Sequence, residues 1–189
     1  MKDKTVLKFK PFLLSIILLL IDQLTKTWVV RNIPVGTIYR SFFNDFLWIV
    51  HVRNTGVAFS LGVGASSLVR GLLFIVIPIG LMVLLSWSIS SEKKIFTQGQ
   101  KWLVAGIIGG GLGTITDRIF RFSSGVVDFI SVKFYGILGM QRWPTFNISD
   151  SCVVVFSILL AFSLIFTKEI EIEEPKIKKT RKEKNEQKK

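Results

Sequence analysis

The chain has 189 residues, 49% of them hydrophobic, with 25 Lys plus Arg against 13 Asp plus Glu and a formal charge of +12. A mean hydropathy of +0.48, gathered into long apolar runs, points to lipid as the surrounding solvent and argues against an ordinary soluble domain. One histidine, His51, and one cysteine, Cys152, exclude a Cys/His metal cluster and an internal disulfide, so no metal or other cofactor is expected.

The N-terminal stub carries Lys2, Lys4, Lys8 and Lys10, and a first apolar segment covers about residues 11–30, interrupted by Asp22 and Lys26. No small-residue cleavage site follows, so this reads as an uncleaved span and not as a removed signal peptide. Asp22 lies roughly 16 Å along the helix, near mid-bilayer, with Lys26 one turn on for an i,i+4 pair. A structural tie from helix one to the outer loop or to the third span is favoured over a proton or ion relay.

Residues Phe42–Ser60 are rich in aromatics and β-branched residues and are expected to form short strands at the interface. Phe46, Trp48 and Trp143 suit the headgroup region, either as belt residues or against a substrate. The second span, residues 71–91, holds 21 uncharged residues with Pro78 as a tolerated kink. The third, about 102–117, carries Gly106, Gly109, Gly110, Gly111 and Gly113, a close-packing signal, before Asp117 and Arg118. Read from residues alone, Asp117 and Arg118 are a capping or surface pair or a pair that positions a substrate, with the surface reading favoured, and Asp117 is counted with Asp22 as a supporting acid.

Asp128 follows in GVVDFI, and Asp150 stands in PTFNISDS before a fourth span over about 151–167. Residues 1–167 thus make a single membrane-embedded domain, and 168–189 a charged tail expected to be disordered. The basic blocks of the stub, the loop with Lys93, Lys94 and Lys101, and the tail belong on the cytoplasmic side. The connections 31–70 and 117–150, with four bases each, then face outward. This distribution reads as topology and not as a nucleic-acid face.

Seven carboxylates lie outside the tail: Asp3, Asp22, Asp45, Glu92, Asp117, Asp128 and Asp150. Asp128 and Asp150 share one outer connection. If they meet, repulsion of about 4 kcal/mol at roughly 4 Å and an effective dielectric near 20 would leave one protonated, as an aspartic protease requires. Two interfacial cap residues explain them as well, since Asp150 sits where the N-cap of span four belongs. A Ser/His/Asp triad through His51 lacks a supporting motif, a dyad of Lys26 with Ser60 is a minor option, and Cys152 reads as a small buried residue.

The blocks DQLTK (22–26), NTGVAFS (54–60), GGGLGTITDR (109–118), GVVDFI (125–130) and FNISDS (146–151) resemble those of the lipoprotein signal peptidases, signal peptidase II, over residues 11–167. The resemblance implies an all-α polytopic membrane protein of four transmembrane helices with a small extracytoplasmic β-rich cradle. It further implies an aspartic endopeptidase that removes signal peptides from diacylglyceryl-modified prolipoproteins on the amino side of the lipidated cysteine. Asp128 and Asp150 fall on the catalytic positions, and Asp22 on the structural acid. Asn54 and Asn147 fall on polar active-site positions, and Arg118 on a base associated with substrate positioning. Thr114 stands where the family usually has Asn, and Ser149 where it usually has Ala. Tyr135–Arg142 looks like an expanded loop, a lid or, by preference, a surface insertion. The implied partners are lipidated prolipoproteins and membrane lipids, with no nucleic acid, for a monomer in the bacterial inner membrane. Both termini would be cytoplasmic and the site near the periplasmic face. A carboxylate-based ion transporter using Asp22, Asp117 and Asp150, and a scaffold recruiting partners through the glycine-rich helix, are the rival readings.

Overall fold

The computed structural model describes residues 9–56, 66–91 and 95–166. Four helices in it are long and apolar enough to cross a membrane: α1 (Pro11–Asn32), α2 (Leu68–Ser90), α3 (Gln98–Phe120) and α4 (Ile148–Phe166). Three strands, β1 (Ile38–Phe42), β2 (Leu47–Asn54) and β3 (Val126–Val132), form one antiparallel sheet in the order β1-β2-β3. The expected four-helix architecture with a small sheet is therefore present. Ser60, Asp3, Glu92 and the tail 168–189 lie outside the described residues.

Each helix extends past the apolar run that signals it. α3 starts at Gln98 because Thr97 and Gln100 make a reciprocal capping box, the Thr97 amide donating to Gln100 Oε1 at 3.0 Å and the Gln100 amide to Thr97 Oγ1 at 3.3 Å. At its other end α3 runs on through Asp117 and Arg118 to Phe120, so this pair lies within the helix. In α2 a π-turn over Leu72–Val76 ends two residues before Pro78, whose ring nitrogen has no hydrogen to donate to the preceding turn.

The central helix is α3: 56% of its apolar window is buried, against 22% for α1 and 6% each for α2 and α4. Its glycines allow this. A Cβ at Gly109 would stand 2.9 Å from the Ser15 backbone of α1, and one at Gly110 would stand 2.6 Å from the Ser149 carbonyl of α4. A Cβ at Gly113 would collide with Ser149 Oγ and Asp22 Oδ2, and one at Gly106 with the Phe156 ring. Ser15 Oγ donates to the Ala105 carbonyl at 2.6 Å, pinning α1 to α3. The glycine face is thus filled by the chain's own helices, which removes the feature that motivated the scaffold reading.

The sheet departs from the sequence reading in two respects. Strands were expected within residues 42–60, yet β1 (Ile38–Phe42) lies almost wholly before that range, and the third strand comes from the later connection and carries Asp128, paired with Val52 of β2. Gly125, at φ +80°, makes the entry to β3 possible: a Cβ there would lie 2.6 Å from the Asn54 carbonyl.

Buried charge links the helices. Lys26 Nζ stands 2.8 Å from Asp22 and 3.1 Å from Asp117, with all three side chains no more than 1% exposed. The expected i,i+4 pair is present, and it reaches α3. Arg121 pairs with the other oxygen of Asp117, and Gln23 Nε2 donates to both Asp22 and Asp117. Two carboxylates thus meet two cations.

Lys26→Met leaves two buried carboxylates without their shared cation and is expected to destabilise by about 3–5 kcal/mol, read as a lowered Tm in detergent. Gly113→Ala is expected to cost about 1–3 kcal/mol by overpacking. Because Ser149 Oγ is buried with no hydrogen-bond partner, Ser149→Ala made with it is expected to recover part of that loss in the same thermal scan.

Candidate active site

Asp128 enters the site from β3, where it is 2% exposed. Asn54, at the end of β2, donates from Nδ2 to Asp128 Oδ2 at 3.0 Å, and Asn147 donates from Nδ2 to Asp128 Oδ1 at 2.7 Å. Asp150 enters from the first turn of α4. The Asn147 amide donates to Asp150 Oδ2 and the Asp150 amide to Asn147 Oδ1, both at 3.1 Å. Asn147 is therefore the N-cap and Asp150 the third residue of a reciprocal capping pair, which corrects the expectation that Asp150 itself caps the helix. The arrangement leaves Asn147, fully buried, in hydrogen-bond contact with both carboxylates.

Both acids line one cavity of about 830 Å³ between α2, α3, α4 and the sheet, together with Asn54, Thr114, Phe74 and Trp143. The lining is mostly apolar, with polar groups converging at the two aspartates, the usual composition of a site for a partly apolar ligand. Thr114 is part of this wall.

Asp117 and Arg118 are 0% and 7% exposed, so they are not a surface pair. The chain folds back from the end of α3 into β3, covering that helix end with the sheet. Arg118 donates to the carbonyls of Asn54, at 3.3 Å, and of Gly56, and its guanidinium lies over the Phe74 ring at 5.1 Å. It holds the rim of the cavity at residues 54–56. Asp117 Oδ2 accepts from the Val127 amide at 3.2 Å, and Asp22 Oδ1 accepts from the Ser149 amide at 3.0 Å. Asp22 thus reaches α4 directly and α3 through Lys26, the structural role favoured from sequence.

Other candidates fall elsewhere. His51 is buried with Nδ1 at 2.7 Å from the Ile33 carbonyl and does not line the cavity. Lys26 is held between two carboxylates, which removes it as a general base beside a serine. Cys152 is buried against the glycine face of α3. Residues Tyr135–Arg142 form a loop with a 3-10 turn at Ile137–Gly139, anchored to the sheet by Arg142, which stacks on Trp48 at 3.6 Å and donates to the carbonyls of Asp45, Phe46 and Ser131. None of residues 135–142 lines the cavity.

Sequence reasoning did not find Gln23, Arg121 or Phe74 in their roles, and it marked Asp117 only as a supporting acid without its partners. Charged residues inside an apolar span were the available signal for Asp117; Phe74 offered none.

Burial pushes the Asp128 carboxyl up to about 7, helped by the negative charge of Asp150 and opposed by hydrogen bonds from Asn54 and Asn147 and by the charge of Lys26. An Asp128 carboxyl raised this far is partly protonated near neutral pH and can both give and take a proton there. Because the folded-state value lies above the ordinary carboxyl value of 3.8, stability from protonated Asp128 is full below about pH 4 and lost as pH rises through about 7. Asp128→Asn is accordingly expected to be more stable than the unaltered protein at pH 8, by on the order of 4 kcal/mol at most. The difference should shrink toward pH 4 in thermal or denaturant unfolding.

Comparison with known proteins gives a consistent result. The family model described as signal peptidase (SPase) II matches residues 14–166. A lipoprotein signal peptidase of Treponema denticola is 44% identical over 157 residues, covering 83% of this chain and 89% of that protein. One from Borrelia duttonii is 47% identical over 154 residues, covering 81% and 88%. Two solved structures described as a bacterial membrane enzyme, at 2.3 and 1.9 Å, share the fold with TM-scores of 0.68 and 0.67 at 24% identity. The first alignment covers 84% of this chain and 89% of the other, the second 82% and 92%. With its four membrane-spanning helices, its three-stranded sheet and a family match over most of its length, the chain belongs to the signal peptidase II family.

Proposed function

We propose that the protein is an intramembrane aspartic endopeptidase that removes signal peptides from diacylglyceryl-modified prolipoproteins, cutting on the amino side of the lipidated cysteine. The observation that carries this reading is Asn147, which hydrogen-bonds to both Asp128 and Asp150, two acids that line one largely apolar cavity. Family membership and the names of the relatives support the substrate class.

In the proposed reaction the ionised aspartate takes a proton from water as the water oxygen bonds to the scissile carbonyl carbon. The protonated aspartate gives its proton to the carbonyl oxygen. The resulting diol collapses with cleavage of the C–N bond, and a proton passes to the leaving amine nitrogen. Asn54 and Asn147 orient the Asp128 carboxyl, and Arg118 holds the cavity rim through residues 54–56. Thr114 faces the same space with one hydroxyl where an amide would offer a donor and an acceptor. The bulk of the cavity wall is apolar, which suits a substrate that keeps its acyl chains in lipid. Placement of the site at the outer face, with both termini cytoplasmic, rests on the distribution of Lys and Arg, and the protein is taken to act as a monomer on a lipid-embedded substrate.

The transporter reading draws on Asp22, Asp117 and Asp150, but the first two are locked around Lys26 and Arg121. A carrier needs carboxylates free to change partners.

The purified protein, with no imposed gradient, is expected to cut a diacylglyceryl-modified prolipoprotein peptide to a product that begins with the lipidated cysteine, as seen by mass spectrometry. Asp128→Asn and Asp150→Asn should each lower kcat by roughly 10²–10⁴-fold or more while inserting and purifying normally. Ordinary turnover by either variant sinks the dyad. Turnover should also fall above about pH 7, as Asp128 loses its proton; a rate that stays flat to pH 9 contradicts the assignment.

A further inference from the structure

We infer that Lys26 and Asp117 are positioning residues of the dyad, forming with Asp22 a buried bridge that sets where Asp128 and Asp150 stand. This rests on the aspartic reading above. The carboxylate of Asp117 accepts the amide N–H of Val127, the residue immediately before Asp128. The carboxylate of Asp22 accepts the amide N–H of Ser149, the residue immediately before Asp150. Lys26 joins the two carboxylates at 3.1 and 2.8 Å. A continuous polar path therefore runs from the backbone of one aspartate to the backbone of the other: Val127, Asp117, Lys26, Asp22, Ser149.

Each link answers a physical requirement. Ser149 lies in the first turn of α4, where amide N–H groups lack helical partners, and Val127 is a fully buried strand residue whose N–H needs an acceptor. Both needs could be met by many groups. Here they are met by two carboxylates that one lysine holds together, so the backbone before each acid is referred to the same ammonium. Arg121 and Gln23 fix Asp117 from its other oxygen, and Gln23 also donates to Asp22. Asn147 supplies a second link, between the side chains of the two acids themselves. Two links through different atoms constrain both the separation and the orientation of the pair. A 1 Å misplacement at a reacting centre costs on the order of a hundredfold in rate, so releasing one link should be felt in kcat.

The test compares Asp117→Ala, Asp117→Asn and Ile89→Ala in the full-length membrane protein, with the lipidated prolipoprotein peptide as substrate. Ile89 is a fully buried core residue of α2 that does not line the cavity, so Ile89→Ala reports the effect of lost stability alone. The inference expects Asp117→Ala to lower kcat at least about tenfold with KM within about twofold. Asp117→Asn keeps an oxygen for the Val127 N–H but loses the charge that holds Lys26 and turns an amide NH2 toward a donor, Lys26 or Arg121, so it should lose nearly as much kcat as Asp117→Ala. If Asp117→Ala loses no more kcat than Ile89→Ala at matched loss of Tm, or if Asp117→Asn keeps a near-normal kcat, the bridge is overturned. Should Asp117→Ala fail to purify, Asp22→Ala, with Asp22→Asn as its conservative partner, is read by the same criteria. Full activity of Asp128→Asn would instead defeat the dyad itself; inactive dyad variants beside a near-normal Asp117→Ala would defeat the bridge alone.

Discussion

The structure depends on one constraint: charge placed deep in an apolar bundle must be paired there. Lys26 is the largest fully buried side chain among the described residues, and an isolated ammonium in that position would cost several kcal/mol. Asp22 and Asp117 neutralise it, and Arg121 balances the second carboxylate. Buried ion pairs of this kind contribute little net stability compared with packed apolar groups, but they are strongly directional. In this chain the direction is toward the amides of Ser149 and Val127, so the pairing that makes the charges tolerable also ties α1, α3, α4 and β3 together.

The close approach needed for those short distances comes from α3. With Gly109, Gly110 and Gly113 facing α1 and α4, the neighbouring backbones lie where a methyl group would otherwise stand. Ser149 in this crowded place leaves a hydroxyl against Gly113 without a partner, a local cost with no compensating contact in the structure. The helix packing and the polar bridge are thus one feature: without glycine at position 113, Asp22 and the start of α4 could not both occupy their places beside α3.

The sheet supplies what four helices alone cannot. A helix end delivers Asp150 but leaves the opposite wall of the cavity open, and the paired strands β2 and β3 carry Asn54 and Asp128 to that wall. The cavity stays largely apolar while its two acids are enclosed, and this enclosure lifts the Asp128 carboxyl to about 7. Arg142, stacked on Trp48, ties the 135–142 extension to the β1–β2 turn and so stiffens the sheet edge away from the acids.

Hydropathy runs, glycine spacing and the i,i+4 placement of Asp22 and Lys26 are local properties, and so the sequence by itself determined the four spans, the close-packing helix and that ion pair. Its five short blocks likewise marked Asp128, Asp150, Asn54, Asn147, Arg118 and Asp22 as belonging together. Helix ends were less legible, since capping by Thr97 and Gln100 and the passage of α3 through Asp117 and Arg118 are invisible to an apolar-run count. Only the tertiary structure decided that Asp117 and Arg118 are buried, that the strand bearing Asp128 joins the first hairpin, and that Asn147, not Asp150, caps α4. The reason is that each of these depends on partners distant in the chain: a charge reads as exposed until the group that pairs with it inside the fold is known.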